Sequence, residues 1–183
     1  MQSRLLEKYR KEIVPALREE FGYKTVMAVP RVIKVIVNVG MGRFAVAKDT
    51  KMMERIANDL GKITGQKPAA RKAKQSIAGF KTREGMDVGM VVTLRGRRMY
   101  DFIDRIISLA LPRVRDFQGL PISNVDSYGN LNIGIREHNV FPEITYESLK
   151  DIFGVQMTVA TTAKNQKEGM ALFRKLGFPL KHG

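Results

Sequence analysis

The chain contains no cysteine, which excludes disulfide staples, thiolate nucleophiles and cysteine-ligated zinc or iron–sulfur centres. It has only two histidines, His138 and His182, so multi-histidine metal sites are excluded as well and no metal or other cofactor is expected. Long hydrophobic runs are missing too. The longest charge-free stretch, Ile152 to Ala163, is too short to span a bilayer. The opening Met1 to Lys11 carries Arg4, Glu7, Lys8, Arg10 and Lys11, which break any signal-peptide core. A soluble protein of the cytoplasm with no membrane partner is expected. Acids are the scarce charge: 18 Asp plus Glu stand against 32 Lys plus Arg, a net of +14.

That excess draws in phosphate, because basic side chains displace counterions condensed on a nucleic acid. A merely soluble surface needs a much smaller imbalance. At 183 residues, with 44% apolar and 27% charged residues, the chain can bury a real core and is no disordered basic tail.

Local patterns place the elements. Leu5, Leu6, Tyr9, Ile13, Leu17 and Phe21 recur at helical steps, so Ser3 to Phe21 reads as an amphipathic helix bent at Pro15. Val32 to Val39 reads as a strand, with Ile33, Val35, Val37 and Val39 on one side and Lys34 and Asn38 on the other. Lys48 to Ile63 is helical and Gly65 stops it. Met86 to Arg95 alternates, with Val88, Met90, Val92 and Leu94 facing the core and Thr93 and Arg95 facing away. Arg97 to Leu111 is a helix ended by Pro112. After a long loop come a strand at Leu131 to Ile135, a short helix at Tyr146 to Phe153, a strand at Val155 to Thr162 and a last helix around Gln166 to Leu176. No repeat or linker divides the series, so one domain spanning 1–183 is expected. Its class is α+β, an antiparallel sheet with helices packed on one face. The other face would carry Lys34, Asn38, Thr93, Arg95, Asn130, Asn132, Arg136, Thr158 and Thr162, polar and basic without an acid. Such a face is either solvated or bound to a polyanion.

Motifs for catalysis are weak. Gly40-Met41-Gly42-Arg43-Phe44-Ala45 has dinucleotide-fingerprint spacing, but the following strand candidate, Lys67 to Ala73, lacks the acid that would hold a ribose. The glycines read instead as a tight turn. His138 has no defined partner for base catalysis, and Asp101 and Asp104 lie among Arg97, Arg98 and Arg105, where ion pairing outweighs metal binding. The chain is not expected to be an enzyme. The sharpest feature is Gln66 to Arg83, in which every charge is basic: Lys67, Arg71, Lys72, Lys74, Lys81 and Arg83. These can contact phosphates, Gln75 and Ser76 can hydrogen-bond to backbone or 2′-hydroxyls, and Phe80 could stack or wedge. Alternatively, Phe80 and Ile77 are tucked into the core, the reading kept here for those two side chains.

An ordered series of motifs resembles the bacterial large-subunit ribosomal protein family that binds 5S rRNA, the fifth in the large-subunit naming. The series runs through Val29-Pro30-Arg31, Val37-Asn38-Val39-Gly40-Met41-Gly42, Thr64-Gly65-Gln66-Lys67-Pro68, Ser76-Ile77-Ala78-Gly79-Phe80-Lys81 and Val92-Thr93-Leu94-Arg95-Gly96. It continues with Pro112-Arg113-Val114-Arg115-Asp116-Phe117, Phe141-Pro142-Glu143-Ile144 and Thr161-Thr162-Ala163. The resemblance implies an RNP-like topology and 5S rRNA held in the central protuberance by the sheet face and its turns. It puts RNA contacts at Asn38, Gln66, Thr93 and Arg95, which Lys34 joins from the polar face. It further implies that the basic extended loop 71–83 approaches P-site tRNA through Arg71, Lys72, Lys74, Gln75, Ser76, Phe80, Lys81 and Arg83. The implied partners also include nearby 23S rRNA, a small-subunit head protein across an intersubunit bridge, and other central-protuberance proteins. Departures from the family pattern stand at Gln118, Ser127-Tyr128, His138 and Asn165 to Lys167.

A positioning RNA-binding protein is therefore the preferred reading. An enzyme acting on RNA or a DNA-compacting protein are the alternatives. The loop 71–83, with little apolar content, is expected to be mobile without RNA.

Overall fold

The computed structural model describes residues 3–144 and 152–181. Among them are five strands: β1 (Val32–Gly40), β2 (Ala69–Lys72), β3 (Asp87–Leu94), β4 (Leu131–Ile135) and β5 (Val155–Thr161). They form one antiparallel sheet in the order β2-β3-β1-β5-β4, with helices packed on it, an α+β fold consistent with RNP-like topology. The chain divides into two compact units. One comprises residues 1–35, 94–133 and 157–183, the other residues 36–93 and 134–156.

The first unit is built on helices α1 (Arg4–Lys8), α2 (Val14–Phe21), α5 (Gly96–Arg105) and α6 (Gln166–Leu176). Leu5, Ile13, Leu17, Phe102, Ile103, Leu172 and Phe173 bury the stripe that the helical spacing announces. Two proline residues shape these helices. The α1–α2 helix is perturbed by a π turn at Tyr9–Ile13, where the Val14 N–H reaches back five residues to the Tyr9 carbonyl. Pro15 offers no N–H and its ring crowds the carbonyl four residues back, so widening the turn ahead of it keeps the helix running. The same solution recurs before Pro112. Here α5 passes into a π turn at Ile106–Ala110, with the Leu111 N–H bonded to the Ile106 carbonyl, and a 3₁₀ turn at Leu111–Arg113 carries the chain one residue past the proline. Pro112 thus lies inside the helical run that it was expected to end.

Helix α6 starts on Asn165, whose side chain accepts from the Glu168 N–H at 2.9 Å, and Glu168 returns a carboxylate to the Lys164 N–H at 2.9 Å. One acid in the first turn and a capping asparagine therefore remain where the sequence departs from the acidic family pattern. The helix ends at Gly177, φ 102°.

In the second unit, α3 (Gly42–Val46) and α4 (Thr50–Thr64) follow β1. The segment read as a tight glycine turn is a one-turn helix, and neither Gly40 nor Gly42 has a positive φ. Asp49 caps α4 by accepting from the Met52 N–H, and Gly65 closes it at φ 69°. Met52, Ile56, Leu60 and Ile63 are buried with Val37, Val39 and Met41. His138 is buried here, its ring stacked on Phe153 at 3.9 Å between centroids.

Two expectations shift. Ile33 is exposed while Val32 is buried, because alternation in β1 settles only from Val35 onward. Strand β2 falls inside the strand candidate Lys67 to Ala73 and takes in the first two residues of the expected loop 71–83, joining the sheet beside β3 although its four residues are all exposed and no apolar alternation marks it. The expected helix at Tyr146 to Phe153 lies mostly outside the described residues, and the two that are described, Ile152 and Phe153, are irregular. His182 also falls outside them.

Gly129, φ 76°, lies against α6. A Cβ added at Gly169 would stand 2.5 Å from the Gly129 Cα and 2.7 Å from its carbonyl oxygen. Both neighbours are backbone atoms, which cannot rotate away. Gly169→Ala is expected to destabilise the protein by about 1–3 kcal/mol, read as a lower denaturation midpoint in urea with an unchanged m-value. An unaltered midpoint would show that the contact yields.

Candidate nucleic-acid interface

Burial of Val35, Val37 and Val39 at one per cent exposure or less forces the intervening side chains of β1 to the opposite face. Asn38 is exposed there, and Lys34 is half-buried. Within the second unit, Gln66, in the turn after α4, donates from Nε2 to the Thr93 carbonyl at 3.3 Å. The turn itself is held by Thr64, whose hydroxyl donates to the Leu60 carbonyl at 2.7 Å. Gln66 and Thr93 are thus brought together, and Asn38 stands on the neighbouring strand. Its Oδ1 lies 3.9 Å from where a Cβ on Gly89 would sit, so that buried glycine keeps β3 close beneath it. Lys34 and Arg95 belong to the first unit. Arg95 is exposed with extended backbone at the start of α5, followed by Gly96 at φ 58°.

Other members of the polar face are committed elsewhere. Asn132 accepts from the Thr158 hydroxyl at 2.7 Å, and Thr162 accepts from the Arg31 N–H at 3.0 Å. Asn130 Oδ1 accepts from the Thr161 N–H at 3.0 Å while its amide donates to Asp126 at 2.9 Å. The Asn130 and Asn132 bonds tie β4 and its preceding turn to β5, and the Thr162 bond ties the end of β5 to the residue before β1. Arg136 is exposed. Asp101 pairs with Arg97 and Asp104 with Arg4, as ion-pairing acids.

The basic segment is more ordered than a bare loop. Arg71 and Lys72 lie in β2, paired antiparallel with β3, and the register shifts between them. Beyond β2 the chain continues as a hairpin. The Ala73 N–H donates to the Met86 carbonyl at 2.8 Å, and Ile77 and Thr82 exchange backbone bonds of 3.1 and 3.3 Å. Ser76 accepts from the Glu84 N–H at 3.0 Å. A 3₁₀ turn, Ala78–Phe80, crosses the tip and ends at Lys81 in the left-handed region, φ 53°. Lys67, Arg71, Lys72, Lys74, Lys81 and Arg83 are all exposed, as are Gln75 and Ser76. Phe80 and Ile77 are not tucked into the core: they are 73% and 46% exposed. A two-stranded hairpin tip has no second layer to cover them.

One basic residue escaped the sequence reading. Arg43 sits in α3, its guanidinium 4.5 Å from the Phe44 ring centroid and donating to the Ile152 carbonyl at 3.1 Å. The signal was its place beside Gly42, which reads as turn chemistry until α3 is seen.

An α+β sheet protein of net charge +14 with a run of exposed cations on one hairpin has the charge character of the nucleic-acid-binding class. Comparison with known proteins makes this specific. Residues 25–83 match the family described as ribosomal protein L5, and residues 87–180 match the ribosomal L5P family C-terminus. The large ribosomal subunit protein uL5 of Chloroflexus aurantiacus is 50% identical over 181 residues, covering 99% of both chains. Those of Cupriavidus taiwanensis and Streptococcus thermophilus are 47% and 46% identical, covering 100% and 98% of both chains. The chain belongs to the ribosomal protein L5 family, and so is a structural, non-enzymatic constituent of the large ribosomal subunit.

The Ser127-Tyr128 departure sits in a turn organised by Asp126, whose carboxylate accepts from the Tyr128 and Asn130 N–H groups at 2.9 and 2.8 Å. Burial alone would raise this carboxyl, but the hydrogen bonds from Asn130, Tyr128 and Gly129 together hold it below the usual aspartate range. The turn's contribution to stability is therefore full above the ordinary aspartate value of about 4 and is lost as pH falls through the lower folded value. Asp126→Asn is expected to lower the melting temperature at neutral pH, with the gap to wild type closing as the buffer is taken below that range. A gap independent of pH would contradict the assignment.

Proposed function

We propose that the chain binds 5S rRNA in the central protuberance through Lys34, Asn38, Gln66, Thr93 and Arg95, and contacts P-site tRNA through the hairpin that carries Arg71 to Arg83. In this reading residues 1–183 act as a single RNA-binding domain with 23S rRNA nearby. Its protein neighbours are other central-protuberance proteins and a small-subunit head protein across the intersubunit bridge.

The observation that carries the proposal is the state of the hairpin's charges. Lys67, Arg71, Lys72, Lys74, Lys81 and Arg83 are exposed, and none is ion-paired to an acid among the described residues. The five cations from Arg71 to Arg83, with Lys67 just ahead of β2 and a single exposed acid, Glu84, beside them, leave a net repulsion that a polyanion relieves while releasing its counterions. The outer face contributes differently. Asn38, Gln66 and Thr93 offer amide and hydroxyl groups suited to 2′-hydroxyls and base edges, and Arg95 supplies a charged fork for phosphate. Affinity then comes from charge and choice of site from hydrogen bonding and shape.

Alanine at Asn38, Gln66, Thr93 or Arg95 is expected to weaken 5S rRNA binding, Arg95→Ala by about 1–3 kcal/mol, measured by filter binding on variants shown to be folded. Undiminished affinity in all four would remove these residues from the interface, and equal affinity for duplex DNA would favour a DNA-compacting role. Neutralising Lys72, Lys74 and Lys81 together is expected to leave folding and 5S rRNA affinity nearly intact. P-site tRNA should dissociate faster from ribosomes carrying that variant, with the difference largest at low salt. Collapse of 5S binding with unaltered tRNA dissociation would make the hairpin part of the 5S platform instead.

A further inference from the structure

Between α3 and the hairpin lies an open groove of about 860 Å³, within the size range of small-ligand pockets. Val88 of β3, Val46 of α3, and Ile77 and Phe80 of the hairpin supply its apolar lining. Arg43 and Lys74 also line it, and among the described residues no acid does. The groove lies wholly within the second unit.

Three features point to its occupant. Phe80 is left 73% exposed on a tip that is locally built, since the Phe80 N–H donates to the Ile77 carbonyl at 3.3 Å and the Lys81 N–H to the Ala78 carbonyl at 3.0 Å. An aromatic face is thus presented to solvent without closing into the core. Arg43 is held in place by its bond to the Ile152 carbonyl and by the Phe44 ring, so its charge is positioned before any ligand arrives. Lys74 supplies a second, exposed cation. A largely apolar, aromatic-edged slot whose charged lining, among the described residues, is Arg43 and Lys74 complements a group with a flat π-face and an attached phosphate.

We propose that this groove takes one unstacked base of a single-stranded RNA segment, stacked against Phe80, with the flanking phosphates on Arg43 and Lys74. The inference rests on reading the hairpin as RNA-facing, and it adds that the hairpin holds a base as well as a backbone. Gln75 and Thr82, also at the groove, can meet the base edge but require no particular base, so stacking rather than sequence sets the preference.

The test uses the full chain and a short oligouridine carrying one central 2-aminopurine, alongside the same strand with an abasic centre. Binding is expected to quench the 2-aminopurine, and the abasic strand is expected to bind about tenfold more weakly, the scale of one stacked base. Phe80→Leu, which keeps an apolar side chain at an exposed position, should abolish the quench and weaken binding to the abasic level, and Phe80→Tyr should restore both. Lys74→Gln should lower the slope of log affinity against log salt by about 1. An unchanged quench in Phe80→Leu, equal affinity for the abasic strand, or tighter competing binding by an acidic peptide rich in aromatics would each overturn the proposal, the last in favour of a protein partner. Affinity for 5S rRNA, measured on the same samples, should be unaffected by Phe80→Leu. Loss of the quench effect with 5S binding intact strikes only the groove, whereas a wild-type chain that fails to bind 5S rRNA strikes the functional reading itself.

Discussion

Burial of one side of β1 sets the terms for the surface opposite. Val35, Val37 and Val39 are withdrawn from water, each stabilising the fold by about 1.5–3 kcal/mol, and a strand's twofold repeat leaves no freedom about where their neighbours point. Slipping the register by one residue would expose all three valines and bury Asn38, at a cost no outer-face interaction could match. The position of Asn38 is therefore a by-product of core packing, and a rigid one. Gly89 acts in the same sense from β3, where any side chain would meet the Val39 carbonyl at 3.3 Å.

Charge enters this frame with little internal compensation where it matters most. Acids are used up within the helices and turns: Asp59 beside Arg55 and Lys62, Asp101 with Arg97, Asp104 with Arg4, and Asp126 in its own turn. The hairpin carries one exposed acid of its own, Glu84, against five exposed cations from Arg71 to Arg83. Exposed ion pairs add little to stability, so pairing these acids with hairpin lysines would gain the fold almost nothing and would cost the surface its attraction for phosphate.

Two helices accommodate proline by widening into a π turn just before it. Both examples lie in the first unit, ahead of Pro15 and Pro112. In each, a carbonyl that would meet the proline ring is relieved, and the apolar stripe continues across the defect, with Ile13 and Leu17 buried in one helix and Ile106 and Ala110 in the other.

Much of the fold was legible in the residues. Period-2 alternation marked β1, β3, β4 and β5, and a 3.6 period marked α4 and α6, with Gly65 stopping the first of these helices, because these signals arise from local geometry and one-sided burial; the caps Asp49 and Asn165 are seen only in the structure. The excess of cations and their concentration between Lys67 and Arg83 could likewise be read directly, and the ordered motifs pointed to the ribosomal family that the relatives show. What only the tertiary structure decided lies where no local period operates. Strand β2 is exposed along its length and exists because β3 offers it hydrogen bonds; Gln66 meets Thr93 across 27 residues of sequence. Phe80 and Ile77 remain in solvent because nothing covers a two-stranded tip. Apolar identity alone could not tell that, since burial is a property of what packs above a side chain and not of the side chain itself.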